Sequence, residues 1–258
     1  LMYGDLIMLC YNQTKPYEKI KNQADEIQAN CFKDLRHQIR NGGFSHLKKN
    51  YKMIVNRFSK IEIPDKRKPR VGVVGEIFVK YSALANNHLL DFLIQEGTEP
   101  NVPSLLEFLL YCLANNEEDF ILYGHHKVSH RFVKIAYKFL YKQSLRMNKA
   151  LKGTKFIPYE DFEEIKANAE KIISRGVKMG EGWLIPAEML TMAEHGVKNI
   201  VCAQPFGCLP NHIVGKGMVR PIKELHPEVN IAPIDYDPGA TKVNQENRIK
   251  LMLSNIKE

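Results

Sequence analysis

Apolar and polar positions follow two different rhythms along this chain. From Ile20, the residues Ala24, Ile27, Cys31, Leu35 and Ile39 recur every three or four positions among charged neighbours. That spacing predicts a helix with one buried stripe. Asn41-Gly42-Gly43 ends it, and Leu47, Tyr51, Ile54, Val55 and Phe58 outline the apolar side of a second helix. The stretch Ile63-Pro64-Asp65-Lys66-Arg67-Lys68-Pro69 is polar and bracketed by prolines, which reads as a hinge. Residues 1–69 are therefore expected to form a helical segment, the end of a preceding domain, and residues 70–258 an α/β domain.

Beyond the hinge the rhythm changes. Val71-Gly72-Val73-Val74-Gly75 is short, β-branched and closed by glycine, the signature of a buried parallel strand. Asn86 and Asn87 precede a helix carrying Leu89, Leu90, Leu93 and Ile94, with Gly97 at its end. Residues 99–102 form a candidate second strand, and Ser104-Leu105-Leu106-Glu107 is a capping box opening a helix toward Leu113. Amphipathic helices are expected over 128–150 and 159–175, and another from Pro186 to Gly196. Strands at 199–203 and 230–234 alternate with helices over 213–225 and 243–256. Strands and helices in alternation mean right-handed crossovers and a parallel sheet covered on both faces. The fold class is α/β, a Rossmann-like parallel sheet with flanking helices, preceded by the helical N-terminal segment.

Charge modifies this picture in one place. The chain has 258 residues and a net charge of +8. Residues 1–70 hold 15 Lys and Arg against 7 Asp and Glu, whereas the remainder is neutral. The basic excess thus belongs to the helical segment. It lacks interleaved stacking aromatics or a nucleic-acid motif, so no nucleic-acid partner is expected. No apolar run approaches the ~20 residues that span a bilayer. With no basic-then-apolar leader and no disulfide spacing among the five cysteines, a cytoplasmic location and no membrane partner are expected. The sequence begins at Leu1 rather than Met, so a piece of a longer protein is expected.

In open parallel sheets ligands bind at the carboxyl ends of the strands. Three loops fall there: residues 75–81, 204–212 and 235–239, each mixing ionisable groups with glycine or proline. Cys208 lies in a Gly/Pro loop before a helix, where amide groups and the helix dipole favour a thiolate. It is the candidate metal ligand or nucleophile, although a plain loop thiol has the same spacing. Cys202, inside an apolar strand, is a weaker candidate for cofactor binding, and core filling competes with it. Glu76 and His212 are the candidate catalytic groups on the same rim. Gly215-Lys216-Gly217 lacks the Walker spacing and reads as a helix edge. Asp235 and Asp237 suit either a hard cation or a turn. Trp183, the only tryptophan, either gates a pocket or plugs the core. His125 and His126 read as surface residues.

A family resemblance rests on longer strings. Val73-Val74-Gly75-Glu76-Ile77-Phe78-Val79-Lys80-Tyr81, Gly180-Glu181-Gly182-Trp183, Gln204-Pro205-Phe206-Gly207-Cys208-Leu209-Pro210-Asn211-His212 and Ile234-Asp235-Tyr236-Asp237-Pro238-Gly239-Ala240 occur in that order. Asn247-Arg248-Ile249-Lys250-Leu251-Met252-Leu253 follows, and Asp5 and Lys15-Pro16-Tyr17-Glu18 precede them. Together they resemble the C-terminal portion of the large activator-like proteins of the 2-hydroxyglutaryl-CoA dehydratase and benzoyl-CoA reductase group. The resemblance covers nearly the whole chain.

It implies an anaerobic iron–sulfur protein in which an ATPase activator drives a low-potential electron toward an acyl-CoA dehydration or reduction. Cys208 would then be a thiolate ligand of a [4Fe–4S] cluster, with Cys202, another subunit or sequence outside this chain supplying others. The implied partners are an ATPase activator domain or subunit and an acyl-CoA substrate. On its own the chain would be an inactive part of such a lyase or reductase system. The competing expectation is a non-catalytic interaction domain that docks the ATPase or the acyl-CoA enzyme, with Cys208 structural.

Overall fold

The computed structural model describes the chain except for residues 43–45, 125, 126, 238 and 255–258. His125 and His126 therefore lie outside the described residues. Three helices come first: α1 (Met2–Asn12), α2 (Gln23–Gly42) and α3 (Leu47–Phe58). The α/β part runs β1 (Arg70–Gly75), α4 (Ile77–Tyr81), α5 (Leu89–Gln95), β2 (Glu99–Asn101), α6 (Leu105–Tyr123) and α7 (Lys127–Leu151). It continues through α8 (Phe162–Ile172), α9 (Leu184–Glu194), β3 (Asn199–Pro205), α10 (Val219–Leu225), β4 (Asn230–Tyr236) and α11 (Lys242–Leu253).

The four strands form one parallel sheet in the order β2-β1-β3-β4. This is the Rossmann-like α/β arrangement expected from the alternating pattern. The two inner strands, β1 and β3, bury both faces. Val71, Val73, Val201, Ala203 and Ile234 pack toward α5 and α11. Val74, Ile200, Cys202 and Ile231 pack toward α9 and α10. Two inner strands covered on both sides explain why their residues read as continuous apolar runs rather than alternating ones. Gly72 faces α9, where a Cβ would lie 2.6 Å from Met192 Sδ, so the close helix–sheet contact depends on its missing side chain. The outer strands β2 and β4 contain Pro100 and Pro233.

The helical segment has its own core, in which Leu6, Cys10, Cys31, Tyr51, Ile54 and Phe58 pack with Met147 and Leu151 from the end of α7. Of the predicted stripe on α2, Ala24, Cys31 and Leu35 are buried, whereas Ile20 and Ile39 are exposed. The stripe is shorter than its periodicity because α2 begins only at Gln23, leaving Ile20 in the preceding turn. Two long-range contacts tie the segment to the sheet. Asp5 accepts hydrogen bonds from the Leu105 and Leu106 amides at the start of α6. Arg67 pairs with buried Glu99 at 2.8 Å, and Tyr17 donates to the same carboxylate.

Several local signals act as their chemistry requires. Asn86 accepts from the Leu89 amide, and Ser104 Oγ accepts from the Glu107 amide. Other details differ. The helix expected over 213–225 is divided into a wide turn over Asn211–Lys216, with π-type hydrogen bonding, and α10. A Cβ on Gly217 would lie 2.1 Å from the Ile213 carbonyl oxygen, so the chain bends tightly on itself there. The helix predicted from 159 starts at Phe162, because Asp161 caps it through the Glu163 amide. Residues 77–81, expected as loop, form the short α4.

Candidate functional site at the carboxyl edge

Chain order reverses at the middle of the sheet. After β1 the chain crosses to β2 on one side, and β3 then returns to the other side of β1. The loops that leave β1 and β3 therefore part in opposite directions and leave a crevice at the carboxyl edge, where α/β sheets bind ligands.

Gly75 brings the first loop into this crevice. Its φ is +124°, and a Cβ would sit 1.9 Å from the Ala203 carbonyl oxygen. Only glycine permits that approach. The next amide, of Glu76, donates to the same Ala203 oxygen at 3.0 Å. Glu76 Oε2 accepts from the Val79 amide at 2.8 Å and caps α4. Its carboxylate is thus held by its own helix. Among the described residues, no hydrogen bond or ion pair joins it to Cys208 or His212.

A further loop, before α9, joins the rim. Glu181 Oε1 accepts from the Ile77 amide at 3.1 Å. A Cβ on Gly180 would be 3.0 Å from Pro210, so the 180–182 and 208–210 loops touch. Tyr111 clamps the turn by donating to the Lys178 and Gly180 carbonyls. Trp183 is fully buried against Tyr111 and Phe162, and its Nε1 donates to Asn115. Of its two expected roles, it plugs the core.

Cys208 is half-buried in the loop after β3. Asn211 Nδ2 points at its sulfur from 3.2 Å, while Asn211 Oδ1 is buried with no partner among the described residues. His212 Nδ1 lies 2.9 Å from the Cys208 carbonyl oxygen, which can only accept, so Nδ1 carries the proton. His212 Nε2 faces Asp235 Oδ1 at 3.4 Å. Gln204 Nε2 donates to the same carboxylate at 2.6 Å and Lys216 Nζ at 3.1 Å. Burial opposes ionisation of Asp235, but the bonds from Gln204 and Lys216 outweigh it and hold the carboxyl below its ordinary range. Lys216 is therefore an anchored ion-pair partner rather than a free helix-edge lysine. The 204–212 and 235–239 loops meet through these bonds, as their shared edge requires.

Cys202 is different. It is fully buried, and burial first, then the Glu188 charge, pushes its thiol up to about 12. Such a thiol stays protonated and fills the core. Among the described residues no three His, Cys, Asp or Glu side chains gather to hold a metal ion. With one accessible cysteine on the rim, the donors of this chain do not by themselves fit a [4Fe–4S] cluster, whose irons take about four ligands.

Sequence reasoning missed a buried charged trio below the rim. Lys80, from α4, contacts both carboxylate oxygens of Glu188, from α9, at 2.9 and 3.3 Å. Glu107, from α6, lies against Glu188, and all three side chains are buried. Burial first, then the Glu188 charge, raises the Glu107 carboxyl well above its ordinary range. Glu107 therefore carries the proton, and Glu188 is the ionised partner of Lys80. The available signal was subtle: each residue is a lone charge within an otherwise apolar stretch.

Around this rim lie large exposed apolar side chains. Phe78, Met179, Phe206, Leu209 and Ile213 are 65%, 77%, 71%, 71% and 64% exposed. Comparisons with family models, curated proteins and solved structures return no match to this chain. No described helix is long and apolar enough to cross a membrane.

Proposed function

We propose that this chain is an interaction module of the 2-hydroxyacyl-CoA dehydratase activator group, docking an ATPase activator subunit through its carboxyl-edge rim. One observation carries the reading. Four of the segments that bear the family resemblance, at 73–81, 180–183, 204–212 and 234–240, meet in space although they span most of the α/β part. Their contacts are the Ile77–Glu181 hydrogen bond, the Gly180–Pro210 approach and the Gln204–Asp235 hydrogen bond. On these segments and beside them stand the exposed apolar side chains of Phe78, Met179, Phe206, Leu209 and Ile213, the kind of surface that partners cover. Partners recognise such centres through a few large apolar anchors. The reading carries with it a cytoplasmic location.

The test is direct titration of the purified ATPase activator against this chain, followed by calorimetry. Wild type is expected to form a saturable complex, and Leu209→Asp to weaken it by at least about tenfold, the loss of one buried anchor. A complex indifferent to Leu209→Asp and Phe206→Ser, or no complex at all, overturns the proposal.

The exposure of Cys208 beside the Asn211 amide favours a second reading. In it, Cys208 contributes one thiolate to a [4Fe–4S] cluster whose other ligands come from outside this chain, serving electron transfer to an acyl-CoA substrate. Anaerobic reconstitution with the partner present tests it. Iron and sulfide uptake unchanged by Cys208→Ala excludes Cys208 as a ligand.

A further inference from the structure

Two cations of the basic helical segment, Lys48 and Lys52, meet three more from the end of α7 and the residue after it. Lys48, Tyr51 and Lys52 share one face of α3, at i, i+3 and i+4. Arg146, Lys149 and Ala150 share the equivalent face near the end of α7, and Lys152 follows. The two faces and Lys152 line a single cleft of about 400 Å³. Five of its seven lining residues are cations and none is acidic.

Structural explanations of these cations fall short. Lys48, Lys52, Lys149 and Lys152 appear in no ion pair among the described residues, and Arg146 bonds only to the neutral amide of Gln143. Elsewhere the same segment pairs its cations, as Lys15 does with Glu18 and Arg57 with Asp34. Cations at the end of α7 suit the negative end of its dipole. Lys48 and Lys49 in the first turn of α3 do not, because they add to the positive end, and that turn contains no acid. Their mutual repulsion across a concave surface is relieved by an anion. The floor is apolar, from Tyr51, Ala150 and the lysine stems, so the cleft combines a low-dielectric base with a cationic rim. A volume of this order suits a small molecule rather than a flat macromolecular surface.

We propose that this cleft binds a small ligand through a diphosphate group. Inorganic pyrophosphate and the diphosphate of a nucleotide share the required chemistry: adjacent phosphates with several negative charges. The site is separate from the carboxyl-edge rim and does not depend on the function proposed for it.

Isothermal titration with pyrophosphate, ADP and AMP tests the proposal at two salt concentrations. Pyrophosphate and ADP are expected to bind saturably at one site, more tightly than AMP, and to weaken as salt rises. Tighter binding of ADP identifies a nucleotide as the source, and equal binding identifies the diphosphate alone. Lys52→Glu and Lys149→Glu, both exposed, should each weaken binding by at least about tenfold, one charge-assisted hydrogen bond each. Lys223→Glu on α10, an exposed charge outside the cleft, should leave binding unchanged, and circular dichroism melting verifies folding of all three. Absence of saturable binding overturns the proposal, as does binding indifferent to Lys52→Glu and Lys149→Glu or equally weakened by Lys223→Glu. Tight binding of a single-stranded RNA that pyrophosphate does not displace also overturns it.

Discussion

Replacing Lys80 with methionine isolates the energetics of the buried trio. Methionine keeps the length and apolar stem of lysine but removes the charge facing Glu188 at 2.9 Å. Glu188 would then be buried without its counter-ion, beside an already protonated Glu107. Removing one partner of a buried pair costs about 3–5 kcal/mol. That is a large share of the roughly 5–15 kcal/mol that holds a domain folded. With a urea m-value of about 2–3 kcal/mol/M, the unfolding midpoint should fall by about 1–2.5 M.

The pH dependence of this loss has a definite sign. Burial already raises the Glu188 carboxyl against the opposing Lys80 charge, and without Lys80 it rises further above its unfolded value. A carboxyl shifted that way favours the folded state at low pH and loses that contribution as pH rises through the folded value. The deficit of Lys80→Met should therefore be smaller near pH 5 than near pH 8. The double variant Lys80→Met/Glu188→Leu removes both charges and should recover most of the lost stability. Urea unfolding of wild type and both variants at the two pH values provides the measurement. A single-variant loss below about 1 kcal/mol, or a double variant less stable than the single, refutes the assignment of an ionised Glu188 dependent on Lys80.

Burial pushes the Asp5 carboxyl up to about 6, against the bonds it accepts from Leu106 and Leu105. Its contribution is full below its unfolded pKa of about 4 and lost as pH rises through 6, so Asp5→Asn should gain on wild type by about 2–3 kcal/mol between pH 4 and 7. Parallel chemical denaturation across that range measures it, and a constant difference would count against the shifted carboxyl. Gly75→Ala forces a Cβ into the Ala203 carbonyl and should destabilise by about 3 kcal/mol or more, seen as loss of the cooperative melt. Cys112 and Cys208 should react with a maleimide in the native state, whereas Cys10, Cys31 and Cys202 react only on unfolding. Mass spectrometry of the labelled peptides distinguishes them, and early labelling of Cys202 would contradict its place in the core.

The fold was legible where a local rule and the tertiary packing agreed. Val71–Gly75 reads as a strand because both of its faces are covered, and Leu47–Phe58 reads as a helix because its stripe meets α1. The rule failed at Asn211–Lys216. There the sequence is helix-compatible, but the backbone takes π-type bonding over Asn211–Lys216 and bends tightly at Gly217, which periodicity does not reveal. At the candidate site, strand ends alone predicted that loops 75–81, 204–212 and 235–239 would share an edge. They could not show that Glu76 spends its carboxylate on its own helix, or that Asp235 gathers Gln204, His212 and Lys216. The trio of Lys80, Glu107 and Glu188 was unreadable for a related reason: its members are 27 and 81 residues apart in sequence order, and only folding brings three isolated charges together.

The two prolines of the outer strands limit how this sheet can grow. The Asn230 amide bonds inward to Lys198, and the Glu99 amide bonds inward to Pro69. Since successive backbone groups on a strand point to opposite sides, Pro233 and Pro100 face outward, where each removes a donor from the open edge. On the β4 side, Gln245 also occupies the outward carbonyl of Asp235. A fifth strand, from a second copy or a partner peptide, would meet missing donors on both flanks and an acceptor already taken on one. The molecule is thus protected against edge-to-edge polymerisation. Association is left to its side chains, at the loops and helices, rather than to the backbone.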